Sequence, residues 1–346
     1  MLEFKKKILK SFNYSNRVYE NKFKSYHWEY QNRKKKNLFK IENLENFRNN
    51  RLSEGLDDQF YSKKKTKQLF ESLIKKHDEG FILKMLDNKN IGNAKMSFLH
   101  KDKNYSTNEL FHIKYLAKIK NYIKINKNSI VCEIGPGYGS FISKFLKIFD
   151  SKIILIDLPE ANFINSYFLK TIFPKKKFFL SSDIRNSKIE NKDIEKNDII
   201  IICPWDNLPK LKIDFIINSR SMMEMNRETI KSYFSFIHEK LKNFGLFLCI
   251  NRYYKDTVGY PIELYNYPFD KYWEVVISEK SWNQDHIHFF LLKRTLGKKG
   301  NIQNELKKIK MITLEKIKKD QRIIRRKMPN FLYKFYKKVK FSILKR

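Results

Sequence analysis

Three things are in short supply in this chain: cysteine, long apolar runs and acidic charge. Only 3 of its 346 residues are Cys, which excludes a disulfide framework in a chain of this length. The start, Met1 to Lys10, carries four lysines and no apolar h-region, so it does not read as a secretory signal. No apolar run approaches the roughly 18–20 residues needed to span a bilayer. The longest, Ile199–Cys203 and Phe244–Ile250, have strand length, and Cys132, Cys203 and Cys249 sit in such runs as core thiols. The expectation is a cytoplasmic protein. With 42% apolar and 15% aromatic residues, the chain can bury a core, which excludes disorder throughout.

Acids number 37 against 72 Lys and Arg, a formal net charge of +35. The excess is uneven. Residues 1–40 hold 12 basic and 3 acidic residues, and residues 296–346 hold 18 and 3. The stretch between is only mildly basic. Such ends suit phosphate contacts on nucleic acid or an anionic membrane surface. A composition rich in Lys, Asn, Ile, Phe and Tyr throughout accounts for much of the total, but not for the clustering.

The pattern divides the chain into three. Residues 1–105 read as a mostly helical extension. Residues 106–295 open on the capping box Ser106-Thr-Asn-Glu109, with Leu110, Ile113 and Leu116 on one helical face. Strands then alternate with helices. Ile130–Ile134, Lys152–Asp157, Ile199–Cys203, Phe215–Asn218 and Gly245–Asn251 read as strands. Phe141–Phe149, Pro159–Phe173 and Arg227–Asn243 read as helices. That alternation predicts an α/β fold with a doubly wound, mostly parallel sheet. Tyr272–Ser278 and His286–Lys293 add an antiparallel hairpin at an edge. Residues 296–346 read as a basic amphipathic helical tail, interrupted by Pro329.

The sharpest motif is Glu133-Ile-Gly135-Pro136-Gly137-Tyr138-Gly139, between a strand and a helix. Glycines let the backbone turn tightly and approach a ligand, and the helix start behind them suits an anionic group. Asp157 ends the next strand, where a carboxylate can accept hydrogen bonds from two ribose hydroxyls. A nicotinamide dinucleotide would want G-x-G-x-x-G and has no use for an acid before the glycines. Glu133 stands there, which suits the amino group of S-adenosyl-L-methionine. The motif therefore favours that cofactor.

The stretch Cys132–Glu160 resembles class I methyltransferases, and more narrowly the bacterial sugar O-methyltransferase family. The narrower likeness extends to Asn108-Glu-Leu-Phe-His112, Asp214-Phe-Ile-Ile-Asn218, Ser221-Met-Met-Glu224-Met225 and Tyr267-Pro-Phe-Asp270. The resemblance covers roughly residues 85–295 and implies a Rossmann-like fold. It implies that Glu133, Gly135, Pro136, Gly137, Tyr138 and Gly139 surround the methionyl arm, that Asp157 holds the ribose, and that Leu158 lies beside the adenine. Asn218 joins this set. The adenine amino contact follows the third strand. It is Asp183 if that strand is Phe178–Ser181, and Trp205 or Asp206 if it is Ile199–Cys203. The implied acceptor is a saccharide hydroxyl on a glycan, lipid-linked saccharide or nucleotide sugar.

Candidate catalytic groups are Glu224, past the fourth strand, and His286 and His288, which alternate on a strand and would share a face. With Asp285 they offer either a His base or a divalent-metal site, and two His and one Asp are too few to assign a metal. His112 and His238 read as structural. Arg220 and Arg252 are candidate anion contacts. RNA methylation and a non-catalytic cofactor-fold protein are the rival readings. Methylation of an exocyclic base amine would need an Asn/Asp-Pro-Pro-aromatic turn, and Asn218-Ser-Arg-Ser stands in its place, so nucleic acid is not favoured. Residues 329–346, with Phe331, Phe335 and Tyr336 among lysines, are a candidate peripheral contact with an anionic membrane. Oligomeric state is left open.

Overall fold

The computed structural model describes residues 1–18, 23–54, 56, 62–186, 188–256 and 258–327. The chain begins with α1 (Leu2–Arg17), α2 (Tyr26–Lys35), α3 (Lys63–Lys76) and α4 (Glu79–Met85), then a short hairpin of β1 (Phe98–His100) and β2 (Lys103–Tyr105). The hairpin closes a stretch that is otherwise mostly helical among its described residues. Next come α5 (Thr107–Ile119), β3 (Ile130–Ile134), α6 (Ser140–Phe145), β4 (Lys152–Ile156), α7 (Pro159–Ile172) and β5 (Phe178–Leu180). They are followed by α8 (Asn191–Lys196), β6 (Ile199–Ile202), β7 (Ile213–Ser219), α9 (Arg227–Lys240) and β8 (Leu241–Arg252). The chain closes with β9 (Tyr254–Lys255), β10 (Ile262–Glu263), β11 (Trp273–Ser281), β12 (Gln284–Arg294) and α10 (Ile302–Lys327). Among the described residues, the main sheet has the order β11-β12-β8-β7-β3-β4-β6-β5. Strands β8 to β5 in that order are parallel, and the β11–β12 hairpin is antiparallel at one edge.

Strand alternation sorts the core into two layers. Val131, Ile153, Leu155, Ile199 and Ile201 face one layer, where α1, α5, α6 and α7 pack. Cys132, Ile154, Ile156, Ile200 and Ile202 face the other, covered by α8, α9 and α10. Burial on both faces is why Ile199–Ile202 is apolar at every position. Helix α6 stops at Phe145, short of the expected Phe149, because the chain continues there as hydrogen-bonded turns (Ile148 and Phe149 amides to the Phe145 carbonyl, 3.0 and 2.9 Å). Both candidates for the third strand form. Ile199–Ile202 pairs with β4, and Phe178–Leu180 is pushed to the outer edge.

The extensions belong to this core. Phe47 packs against Tyr138, Tyr167 and Phe168, with ring centroids 5.9, 6.5 and 6.1 Å away. Lys7 of α1 pairs with Asp183 at 2.6 Å. Ile302, Leu306, Ile309 and Thr313 of α10 are buried, so one face of the expected amphipathic tail packs into the core. The segment 329–346 lies outside the described residues. No described helix is long and apolar enough to cross a membrane.

A buried ion network joins the N-terminal part to the glycine-turn helix. Lys144 of α6, with no solvent exposure, donates to Asp87 at 2.7 Å and to Glu109 at 2.8 Å. Lys147 also donates to Asp87, at 2.5 Å. Glu109 accepts from the amide and hydroxyl of Ser106, completing the expected capping box, and Arg48 donates to that hydroxyl at 2.8 Å. Removing one member strands the rest in a dry interior. Lys144→Met is therefore expected to cost about 3–5 kcal/mol, read from urea denaturation. A loss under about 1 kcal/mol would contradict this burial.

Candidate functional site

Strand order reverses at β3, which feeds β4 on one side and abuts β7 on the other. Ligands in open α/β sheets sit past the carboxyl ends of strands at such a point. A cavity opens there, with about 1160 Å³ of empty space including its mouth.

Its floor is the glycine turn. Gly135 has φ of 69°, and a Cβ on it would lie 2.1 Å from Ser221 Oγ, so only glycine fits. The Gly135 amide donates to the Ile156 carbonyl at 2.9 Å. Asp157 ties the turn to β4: its two oxygens accept the Gly137 amide at 3.0 Å and the Leu158 amide at 2.7 Å. Beneath the far wall, Asn218 donates to the Ile134 carbonyl at 2.9 Å and to Ser221 Oγ, and Asn251 donates to Asn218 at 2.8 Å. This amide chain places the Ser221–Met225 segment. Arg220, at φ of 66°, holds a left-handed conformation at the cavity wall, a strain typical of functional loops.

Four carboxylates face the cavity: Glu133, Asp157, Glu160 and Glu224. Glu160 is held by Lys24 at 2.6 Å, and Glu224 is paired with Lys255. Glu133 has one oxygen, Oε2, with no hydrogen-bond partner among the described residues. Burial, with the nearby Asp157 charge, pushes Glu133 up to about 8. Burial likewise raises Asp157 to about 7, against its two amide hydrogen bonds. Burial thus leaves two of the four carboxylates holding their protons well above the ordinary range, while the other two are paired with lysines.

Of the sequence candidates, Glu133, Gly135, Pro136, Gly137, Tyr138, Asp157, Leu158 and Glu224 line the cavity. Several do not. Gly139 sits behind the turn, at φ of 90°, as the residue that starts α6. Asn218 is fully buried and acts through the segment it holds. Asp183 accepts the Leu180 amide and pairs with Lys7, because its strand is at the sheet edge. Trp205 packs on Phe23 outside the lining, and Asp206 is taken by Ser181 and the Cys203 amide. Pro204 is the lining residue that follows the third strand position. His288 is buried between Ser278 and Tyr253, and burial holds it down to about 4, while His286 on the same strand is exposed. The pairing of β11 with β12 shifts between Lys280 and Ser281, opposite this stretch. Neither histidine reaches the cavity, and no described group of His, Cys, Asp or Glu could hold a metal. Arg220 lines the cavity and Arg252 does not.

Two contributions escaped the sequence. His112, read as structural, lines the cavity and shares a hydrogen bond with Ser140 Oγ at 2.9 Å. The roof comes from the N-terminal extension: Phe23, Ser25, Trp28, Asn32, Lys35, Phe39, Leu52 and Leu56. Burial lowers the Lys35 ammonium to about 8, and it donates to the carbonyls of Leu52 and Glu54 at 3.4 and 2.9 Å. The usable signal was Ser25, whose side chain accepts the Trp28 amide and starts α2.

No protein-family model matches the chain, and no curated protein matches it. Among solved structures it is similar to M. capricolum TrmK in complex with S-adenosyl-homocysteine, at 13% identity over 66% of this chain and 95% of that one, TM-score 0.38. It is also similar to magnesium protoporphyrin IX methyltransferase (ChlM) of Synechocystis PCC 6803 with bound SAM, at 8% over 54% and 80%, TM-score 0.39. A third is an rRNA methylase from Streptococcus thermophilus, at 15% over 53% and 93%, TM-score 0.30.

The raised acids make stability depend on pH. Glu133 moves from an ordinary 4.5 to about 8 on folding. Across that window the folded chain keeps a proton that the unfolded chain has released, so this group costs stability as pH rises. Compared with wild type, Glu133→Gln should match near pH 5 and be more stable by about 1 kcal/mol or more at pH 9. Parallel melting curves at both pH values test this; equal differences at both would refute it.

Proposed function

We propose that this chain is an S-adenosyl-L-methionine-dependent O-methyltransferase acting on a saccharide hydroxyl. The observation that carries the cofactor reading is the open carboxyl oxygen of Glu133 beside the glycine turn. Glu133 keeps a buried oxygen without a partner among the described residues, which suits an ammonium donor. When bound, the cofactor supplies an electrophilic methyl group on a sulfonium.

The chain's own residues do the rest. Glu133 would hold the amino group, Gly135 and Gly137 would border the methionyl arm, Asp157 would accept from the ribose, and Leu158 would lie against the adenine. On the acceptor side, Glu224 can take the proton of a hydroxyl at its carboxylate, with Lys255 fixing its orientation. Trp28 and Arg220 also line this cavity. An indole face with charged hydrogen-bonding groups suits a sugar ring, and this mixture favours a saccharide over a flat apolar acceptor. Positioning donor and acceptor in line is the main catalytic task in such a displacement.

Cofactor binding should tighten from pH 6 to pH 8, because Glu133 must lose its proton to meet an ammonium and Asp157 must lose its own to accept from both ribose hydroxyls. Asp157→Ala should weaken binding beyond detection in calorimetry, and retained affinity would overturn the cofactor reading. Labelled methyl should pass to a nucleotide sugar or lipid-linked glycan and not to RNA. Glu224→Gln should lower that kcat by about 10²–10⁴-fold. Transfer to RNA alone would replace the saccharide reading with the nucleic-acid one.

A further inference from the structure

Two buried polar atoms beside the cavity lack a hydrogen-bond partner among the described residues: Asn32 Nδ2 and Glu160 Oε2. Asn32 is 6% exposed and Glu160 9%, and both residues line the cavity. Groups this deep are rarely left unpaired unless something else completes them. They come from opposite sides. Asn32 lies on α2 of the roof, one turn after Trp28, and Glu160 lies in the first turn of α7.

Glu160 is held in place. Its Oε1 accepts from Lys24 Nζ at 2.6 Å, and both side chains are 11% exposed. The roof is held as well, because Lys35, one turn beyond Asn32, donates to the carbonyls of Leu52 and Glu54. Asp157, three residues before Glu160, already accepts a backbone amide on each oxygen. Its remaining capacity for a diol is therefore shared, whereas Glu160 keeps a whole oxygen open. An amide N–H and a carboxylate oxygen together match a hydroxylated ligand, since each hydroxyl both donates and accepts.

We propose that Asn32 and Glu160 bind the ribose hydroxyls of the cofactor together with Asp157, so that the N-terminal roof is part of the cofactor site. This rests on the cofactor reading above. Asn32 donates its amide to a hydroxyl oxygen, and Glu160 accepts a hydroxyl proton. Lys24 is a positioning residue that keeps Glu160 aimed.

The test is calorimetric binding of S-adenosyl-homocysteine to the full chain, wild type against Asn32→Ala and Glu160→Gln. Adenosine and its 2′-deoxy and 3′-deoxy forms serve as further probes. Glu160→Gln should weaken S-adenosyl-homocysteine about ten- to hundredfold, and Asn32→Ala about three- to tenfold. With at least one deoxynucleoside, the gap between variant and wild type should vanish, which a merely structural role would not produce. Unchanged affinity in both folded variants overturns the assignment, even if methyl transfer falls, because the pair would then serve the acceptor. Failure of the wild type to bind at all would instead sink the cofactor reading, and this assignment with it. If Glu160→Gln does not fold, Asn32→Ala decides alone.

Discussion

Lys144 has no contact with water, and its ammonium sits between the carboxylates of Asp87 and Glu109. The arrangement around the cavity depends on this contact. Asp87 precedes the small hairpin, Glu109 lies on α5, and Lys144 lies on the helix that follows the glycine turn. A single charged group thus locks three chain segments into one register. Arg48 extends the lock: it bonds Ser106 and lies over the ring of Tyr138, 5.1 Å from its centroid. Apolar packing alone would hold these pieces together without dictating their angle. Charged hydrogen bonds in a dry interior tolerate little misplacement, so the network acts more through specificity than through net stability.

The cavity lining is richer in acids than the strongly basic chain around it. The chain as a whole has a formal charge of +35, yet four carboxylates converge on the glycine turn. Folding forces Glu133 and Asp157 into an environment where each resists ionisation. On the cofactor reading proposed above, a bound ammonium would offset that cost at Glu133. The surface excess says little about this chemistry. Much of it lies in the sequence of two terminal segments.

The roof changes the meaning of the N-terminal extension. Helix α2 has almost no apolar face of its own, and its Trp28, Asn32 and Lys35 turn toward the cavity. Phe47, by contrast, is driven into the core among Tyr138, Tyr167 and Phe168. Together they explain why a segment without a recognisable motif is held against the parallel sheet. One part anchors and the other covers.

What was legible in the sequence was local. The strand–glycine–helix turn, Glu133, Asp157 and the alternation of strands with helices were readable because each depends on neighbours within about twenty residues. Backbone sterics and periodicity suffice for those. The Ser106–Glu109 cap was readable for the same reason. Asp183, Trp205, His286 and His288 were not placed, because their fate depended on sheet order and strand register. Ile199–Ile202, not Phe178–Leu180, took the position beside β4, and packing buried His288 while His286 stayed exposed. His112 and the roof residues were invisible for a related reason: the groups that face the same cavity lie far apart in the chain. Sequence alone determined the kind of fold and the floor of the site. Only the tertiary structure decided which distant side chains close over that floor, since burial and pairing between remote segments leave no periodic trace.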